Sequence, residues 1–156
     1  MDDTQMMLLE LSGKGYSCAQ MVMIGGLRLM GRENPDLVRA MGGLAHGVGG
    51  CGEICGALSG AVCLISLHSG KGLDHEEPHL DHLLIMDELI EWFRADLCGG
   101  GGISCAEILD TPDRVMNRML CGRLVGGAWT KAVELLAGYG IDPSLGRPLP
   151  WMSHEH

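Results

Sequence analysis

Seven cysteines, Cys18, Cys51, Cys55, Cys63, Cys98, Cys105 and Cys121, are the residues of this chain best equipped for chemistry. Two of them share a local pattern, Ser17-Cys18-Ala19-Gln20 and Ser104-Cys105-Ala106-Glu107. A serine followed three residues later by Gln or Glu is a capping-box signature, with the serine as N-cap and the cysteine as the first helical residue. Cys55 lies just after a glycine-rich turn, His46 to Gly52, near the start of an apolar run. Three thiols are therefore expected within one turn of a helix N-terminus. There, unpaired backbone N–H groups and the positive end of the helix dipole stabilise anions. A lowered thiol pKa follows as the expectation, with thiolate available as nucleophile or soft-metal ligand.

The other four cysteines carry weaker signals. Cys63, between Val62 and Leu64, reads as a small core filler. Cys121, between Leu120 and Gly122, is undecided by position. Cys51 and Cys98 flank glycine-rich turns and are candidates for auxiliary ligands or exposed thiols. Cys51 and Cys55 form C-x3-C, a poorer metal signal than C-x2-C. No C-x2-C pair exists, which argues against zinc ribbons, thioredoxin-type sites and covalent c-type haem. Neither ferredoxin spacing occurs, and the glycine runs do not match a phosphate-binding loop. Any ligand set must come from well-separated helices, as in a site built inside a bundle. A second candidate is the stretch Asp74 to His82, where His79 and His82 stand three apart beside acidic residues. A divalent metal is conceivable there, but a solvated loop and helix start is the plainer reading.

The elements that position these groups read as helices. Alternating apolar and polar runs are absent, and Leu, Met and Ala outnumber Val and Ile, which disfavours a sheet. Helices are expected over 4–11, 18–30, 35–45, 53–68, 78–97 and 105–109. A last one opens at Thr111-Pro112-Asp113 and runs through Cys121 to Gly138. Asn34 as N-cap and Pro35 at the first position open the third. Gly56 and Gly60, four apart with Ala57 and Ala61 beside them, give a surface that another backbone can approach closely. The expected fold is all-α, a compact single-domain bundle of about six to seven helices spanning 1–156, with 143–156 as an extended tail.

Composition narrows the function classes. The 156 residues carry 20 acidic and 11 basic side chains, a net charge of −9, and no Lys/Arg cluster suited to nucleic acid. The longest apolar run, Ile54 to Leu67, is 14 residues, short of the roughly 20 needed to span a bilayer, so no membrane insertion is expected. The acidic start, Met1-Asp2-Asp3-Thr4, lacks a signal-peptide core, and a cytoplasmic setting is expected. Seven thiols in that setting suit metal or redox chemistry better than structural disulfides. No acid–base or nucleophile–base pair stands out, so an electron-transfer or accessory role is favoured over substrate turnover.

The segment Gly52-Glu53-Ile54-Cys55-Gly56-Ala57-Leu58-Ser59-Gly60-Ala61 resembles the central signature of the C-GCAxxG-C-C family of redox-active proteins. The family label orders its letters G-C-A, whereas this chain reads Cys55-Gly56-Ala57. Cys18 matches the family's N-terminal cysteine, and Cys105 and Cys121 match its two C-terminal ones, over a resemblance running from Tyr16 to Gly140. The family is small, helical and found largely in anaerobic prokaryotes. A related domain forms the non-haem part of split-Soret-type cytochromes, held to carry an iron–sulfur centre. The resemblance implies that Cys18, Cys55, Cys105 and Cys121 hold one iron–sulfur cluster. A [2Fe–2S] cluster is favoured over [4Fe–4S], with no haem, an unidentified redox partner protein, and a homodimer if the cluster is shared. The alternatives are a thiol–disulfide oxidoreductase using the same cysteines, a soft-metal binding or carrier module, and a structural subunit.

Overall fold

The structure, a computed structural model, describes residues 2–110 and 114–147. Seven α-helices follow one another: α1 (Asp3–Gly13), α2 (Cys18–Leu29), α3 (Pro35–Met41), α4 (Gly56–Ser69), α5 (His82–Trp92), α6 (Cys105–Ile108) and α7 (Arg114–Gly138). Among the described residues there are no strands, only an isolated antiparallel bridge between Ile54 and Ser104. The all-α expectation holds.

Local chemistry sets the helix starts. The Asp2 side chain accepts the Gln5 N–H at α1, and Asn34 accepts the Leu37 N–H at α3, where Pro35 occupies the first helical position. At α2 the Gln20 Oε1 accepts from the Ser17 N–H at 3.1 Å. At α6 the Ser104 Oγ accepts from the Glu107 N–H at 3.1 Å. Each capping satisfies N–H groups that the first turn leaves without helical partners.

Helix α4 is the centre. Apolar nearly all round, it packs against α2 on one side and α5 and α7 on others. Leu58, Leu64 and Ile65 of α4 meet a shell that includes Val22 and Met23 of α2, Ile85 and Leu89 of α5, and Leu124 and Leu136 of α7. Each such side chain contributes about 1.5–3 kcal/mol when fully withdrawn from water. The approach of α2 to α4 rests on Gly60. A Cβ there would lie 2.9 Å from the Ala19 Cα and 3.1 Å from the Ala19 carbonyl oxygen.

Several boundaries differ from the sequence expectation, each for a local reason. Helix α4 begins at Gly56 rather than Glu53 because residues 52–55 pair with another segment: the Cys55 N–H donates to the Ile103 carbonyl, and the Glu53 carbonyl accepts from Cys105. Helix α3 stops at Met41 and tightens into a 3-10 turn, Gly42–Leu44, where two glycines lower helix propensity. The stretch expected as one helix over 78–97 starts only at His82 and widens into a π-turn over Phe93–Leu97. The expected helix start at Thr111-Pro112-Asp113 lies outside the described residues. So does most of the expected extended tail, 148–156. Its described part is not extended. The Asp142 carboxylate accepts from the Ser144 N–H and Oγ and closes a turn. Beyond it, Arg147 donates to the backbone carbonyls of His68, Ser69 and Glu77.

His68, 5% exposed at the end of α4, has no hydrogen-bond partner at Nδ1 among the described residues. Burial first, then the nearby Arg32 guanidinium, holds its imidazole below the ordinary range, with Asp142 opposing. The unfolded chain, with an ordinary pKa near ~6.5, then binds this proton more readily than the folded one. Stability is therefore complete above about pH 6.5 and is lost as pH falls toward the depressed folded pKa. The depressed carboxyls of Glu76 and Asp142 act in a separate, more acidic window, below their ordinary range. Thermal melting should drop between about pH 7 and about pH 5. A His68→Gln variant, which cannot take up the proton, should show a flatter profile across that window.

Candidate functional site

Four segments of the fold deliver a cysteine each to one cavity of about 580 Å3. Cys18 opens α2, Cys55 caps α4, Cys105 opens α6, and Cys121 lies in the first half of α7. All four line the cavity, with Tyr16, Met21, Ile108 and Leu124 among its apolar walls and His46 and Arg118 also at its wall. Among the described residues no carboxylate lines it. Among the described residues, no three His, Cys, Asp or Glu side chains are close enough together to hold a single metal ion.

Two devices bring the cysteines together. Helices α2 and α4 touch through glycine: a Cβ at Gly56 would overlap the Cys18 Sγ and stand 3.2 Å from the Leu44 carbonyl. The second is a short backbone zipper. The Cys55 N–H donates to the Ile103 carbonyl at 2.9 Å, the Cys105 N–H to the Glu53 carbonyl at 2.6 Å, and the Ala106 N–H to the Gly52 carbonyl at 3.2 Å. The zipper sets the cysteine at the α4 cap beside the cysteine at the α6 start.

The loop feeding that zipper has a rare backbone. His46, Gly47, Val48, Gly49, Gly50 and Gly52 all have φ between +52° and +77°. Four glycines adopt this left-handed region without strain, but Val48, a β-branched residue, does so at φ +62° against its steric preference. The loop is held by its own hydrogen bonds, Gly49 to the Gly43 carbonyl at 2.8 Å and Glu53 to the Gly47 carbonyl at 2.9 Å. It carries His46 to the cavity wall. Sequence reasoning missed His46. The signal for it was the spacing of Gly47, Gly49, Gly50 and Gly52, which marks a chain forced into positive φ.

The electrostatics overturn the expectation of lowered thiol pKa values at Cys55 and Cys105. Burial pushes the Cys55 thiol up to about 11. The nearby backbone N–H groups of Ala57 and Leu58 pull the other way, while Cys18 and Cys121 raise it further. Burial also raises Cys105, and then Cys18 does. Cys121 is raised by burial, then by Cys18 and Cys105. Helix N-termini do favour thiolate here, but loss of water costs the charged form more. Neighbouring cysteines thus add to the rise at Cys55, Cys105 and Cys121.

The remaining cysteines stand apart from this cavity. Cys51 is exposed in the glycine loop, and Cys98 is half-buried just after the π-turn. Neither lines the cavity. Cys63 packs against the core from the middle of α4, as a filler would. The histidines of the second candidate are spent on structure. His82 Nδ1 lies 2.6 Å from the Ser69 Oγ, and His79 Nδ1 accepts from the Asp81 N–H at 3.0 Å.

Four thiols in one cavity of an all-α bundle, with no carboxylate among its described lining residues, are a donor set suited to soft-metal or redox chemistry. The model of the family described as "Putative redox-active protein (C_GCAxxG_C_C)" matches residues 16–135, and the chain belongs to that family. No curated protein and no solved structure shows significant similarity to it. Among the described residues no helix is long and apolar enough to cross a membrane.

Proposed function

We propose that this chain binds one iron–sulfur cluster through Cys18, Cys55, Cys105 and Cys121, with [2Fe–2S] favoured, and passes electrons to a partner redox protein. The observation that carries this reading is one cavity lined by all four thiols and, among the described residues, by no carboxylate. That donor set is soft, which suits iron–sulfur chemistry better than a hard cation. Burial raises the thiols of Cys55, Cys105 and Cys121, which favours their neutral form until a cation joins them. A cluster supplies that cation and draws all four into the thiolate form. When bound, it would supply one-electron exchange. The nearby backbone N–H groups of Ala57 and Leu58 favour negative charge at Cys55, and hydrogen bonds to ligand sulfur tune the reduction potential.

The thiol–disulfide alternative needs a nucleophile with a lowered pKa, and burial works against that at Cys55, Cys105 and Cys121. The test is anaerobic purification followed by iron and sulfide analysis and visible and EPR spectroscopy. Equal iron and acid-labile sulfide with sulfur-to-iron charge-transfer bands are expected. A colourless protein that takes up neither element, and instead forms one reversible disulfide on mild oxidation, would overturn the cluster and favour the alternative.

A further inference from the structure

Beside the cysteine cavity lies a second groove of about 480 Å3, between the end of α1, α2 and the start of α3. The two share a wall, since Tyr16 lines both. The groove has an apolar floor, including Ile24, Leu27 and Val38. Its sides carry Lys14, Arg28, Arg32 and Arg39, and only one carboxylate, Glu33, lines it. Two further carboxylates stand at the rim as ion-pair partners. Glu10 pairs with Lys14 at 3.0 Å and Arg28 at 3.2 Å, and Asp36 with Arg39 at 2.8 Å.

Counting those partners, and Arg118 from the cysteine cavity, this face holds five cations and three carboxylates. The chain as a whole stands at −9. Glu53 and Glu107, each two residues from a cavity cysteine, do not line the cavity. The groove and its ion-pair partners thus carry a positive balance within an acidic chain, and through Tyr16 they adjoin the cysteine cavity. An apolar floor ringed by cations also has the anatomy of a protein-docking surface, in which apolar area is buried and rim charges steer the encounter.

We propose that this face, from the Lys14–Arg39 groove to the mouth of the cysteine cavity, docks an electron-carrier protein that presents an acidic surface. The inference rests on the redox reading of the cysteine site and names the chemistry of its partner. Complementary charge would orient the carrier over Tyr16 and hold off carriers with a basic face.

The test uses stopped-flow oxidation of the dithionite-reduced chain, with each oxidant accepting one electron from the cysteine site. The probes are anionic ferricyanide, cationic hexaammineruthenium(III) and oxidised plant-type ferredoxin as an acidic carrier protein. If the local face governs encounter, ferricyanide and ferredoxin react fastest at low salt and slow as salt screens the charges. If the net charge of −9 governs, hexaammineruthenium is the one that slows with salt, and the proposal is overturned. Lys14→Glu with Arg39→Glu, at side chains 58% and 74% exposed, should slow ferredoxin by about ten-fold at low salt. Lys71→Glu with Arg94→Glu changes net charge equally at remote sites and should leave that rate within about two-fold. Equal slowing by both pairs would overturn the docking face. A double variant that slows ferricyanide but not ferredoxin would reassign the face to small anions and overturn it too. A rate that depends on self-association, seen by sedimentation, would reassign it to a second copy. Absence of any reversible oxidation is a different result, since it removes the redox reading itself.

Discussion

Cys55→Ser is expected to lower iron and sulfide content by at least about ten-fold after anaerobic purification, because an alkoxide is a poor ligand for iron–sulfur clusters. Cys55 is the most enclosed of the four cavity thiols, 8% exposed. Its backbone is fixed at the α4 cap by the hydrogen bond to the Ile103 carbonyl. A serine fits the same space, so the fold should persist, with a stability change of about 1 kcal/mol. The readout therefore separates loss of cluster from loss of structure. Cys51→Ser, Cys63→Ser and Cys98→Ser should keep their iron, since those thiols lie away from the cavity. Full iron content in Cys55→Ser together with loss in Cys63→Ser would place the cluster elsewhere.

How far this site could be read from the sequence depended on the range of the interactions that build it. The helix starts at Cys18 and Cys105 were legible because a serine and a Gln or Glu three residues on decide them within one turn. The N-cap at Asn34 was legible for the same reason. Cys121 was not, because its neighbours Leu120 and Gly122 say nothing about which face of a 25-residue helix meets the cavity. The Glu53–Cys55 pairing with Ile103–Cys105 was invisible as well. It joins segments some fifty residues apart through backbone groups, which every residue carries, and so it leaves no side-chain pattern. That pairing also moved the start of α4 to Gly56. The thiol pKa expectation failed for a related reason. A helix N-terminus can be read from a cap, but the depth of burial at Cys55 depends on all the elements around it.

Gly60→Ala should be the most damaging of the glycine substitutions in the helices that carry the site. Within a helix, alanine in place of glycine ordinarily gains about 1 kcal/mol of propensity. Here the new Cβ would meet the Ala19 Cα at 2.9 Å and the Ala19 carbonyl at 3.1 Å. Both are backbone atoms and cannot turn aside, so α2 must move away from α4. Overpacking of that kind costs about 1–3 kcal/mol and occasionally more, and a rigid contact belongs at the upper end, which leaves a net loss of about 2 kcal/mol. For a chain of this size that is a fall in Tm of roughly 4–8 °C. The shift also reaches the site, because Ala19 follows Cys18 directly, and separating α2 from α4 separates Cys18 from Cys55. Iron occupancy should therefore fall along with Tm. Gly122→Ala is the matched control. It lies in α7 next to Cys121, and a Cβ there meets nothing within 4 Å. The propensity term then acts alone, and Gly122→Ala should raise stability by about 0.5–1 kcal/mol with iron retained. Opposite signs for the two substitutions would tie the cysteine geometry to the α2–α4 contact. A Gly60→Ala variant that melts at or above the parent and keeps its iron would show that the contact does not set it.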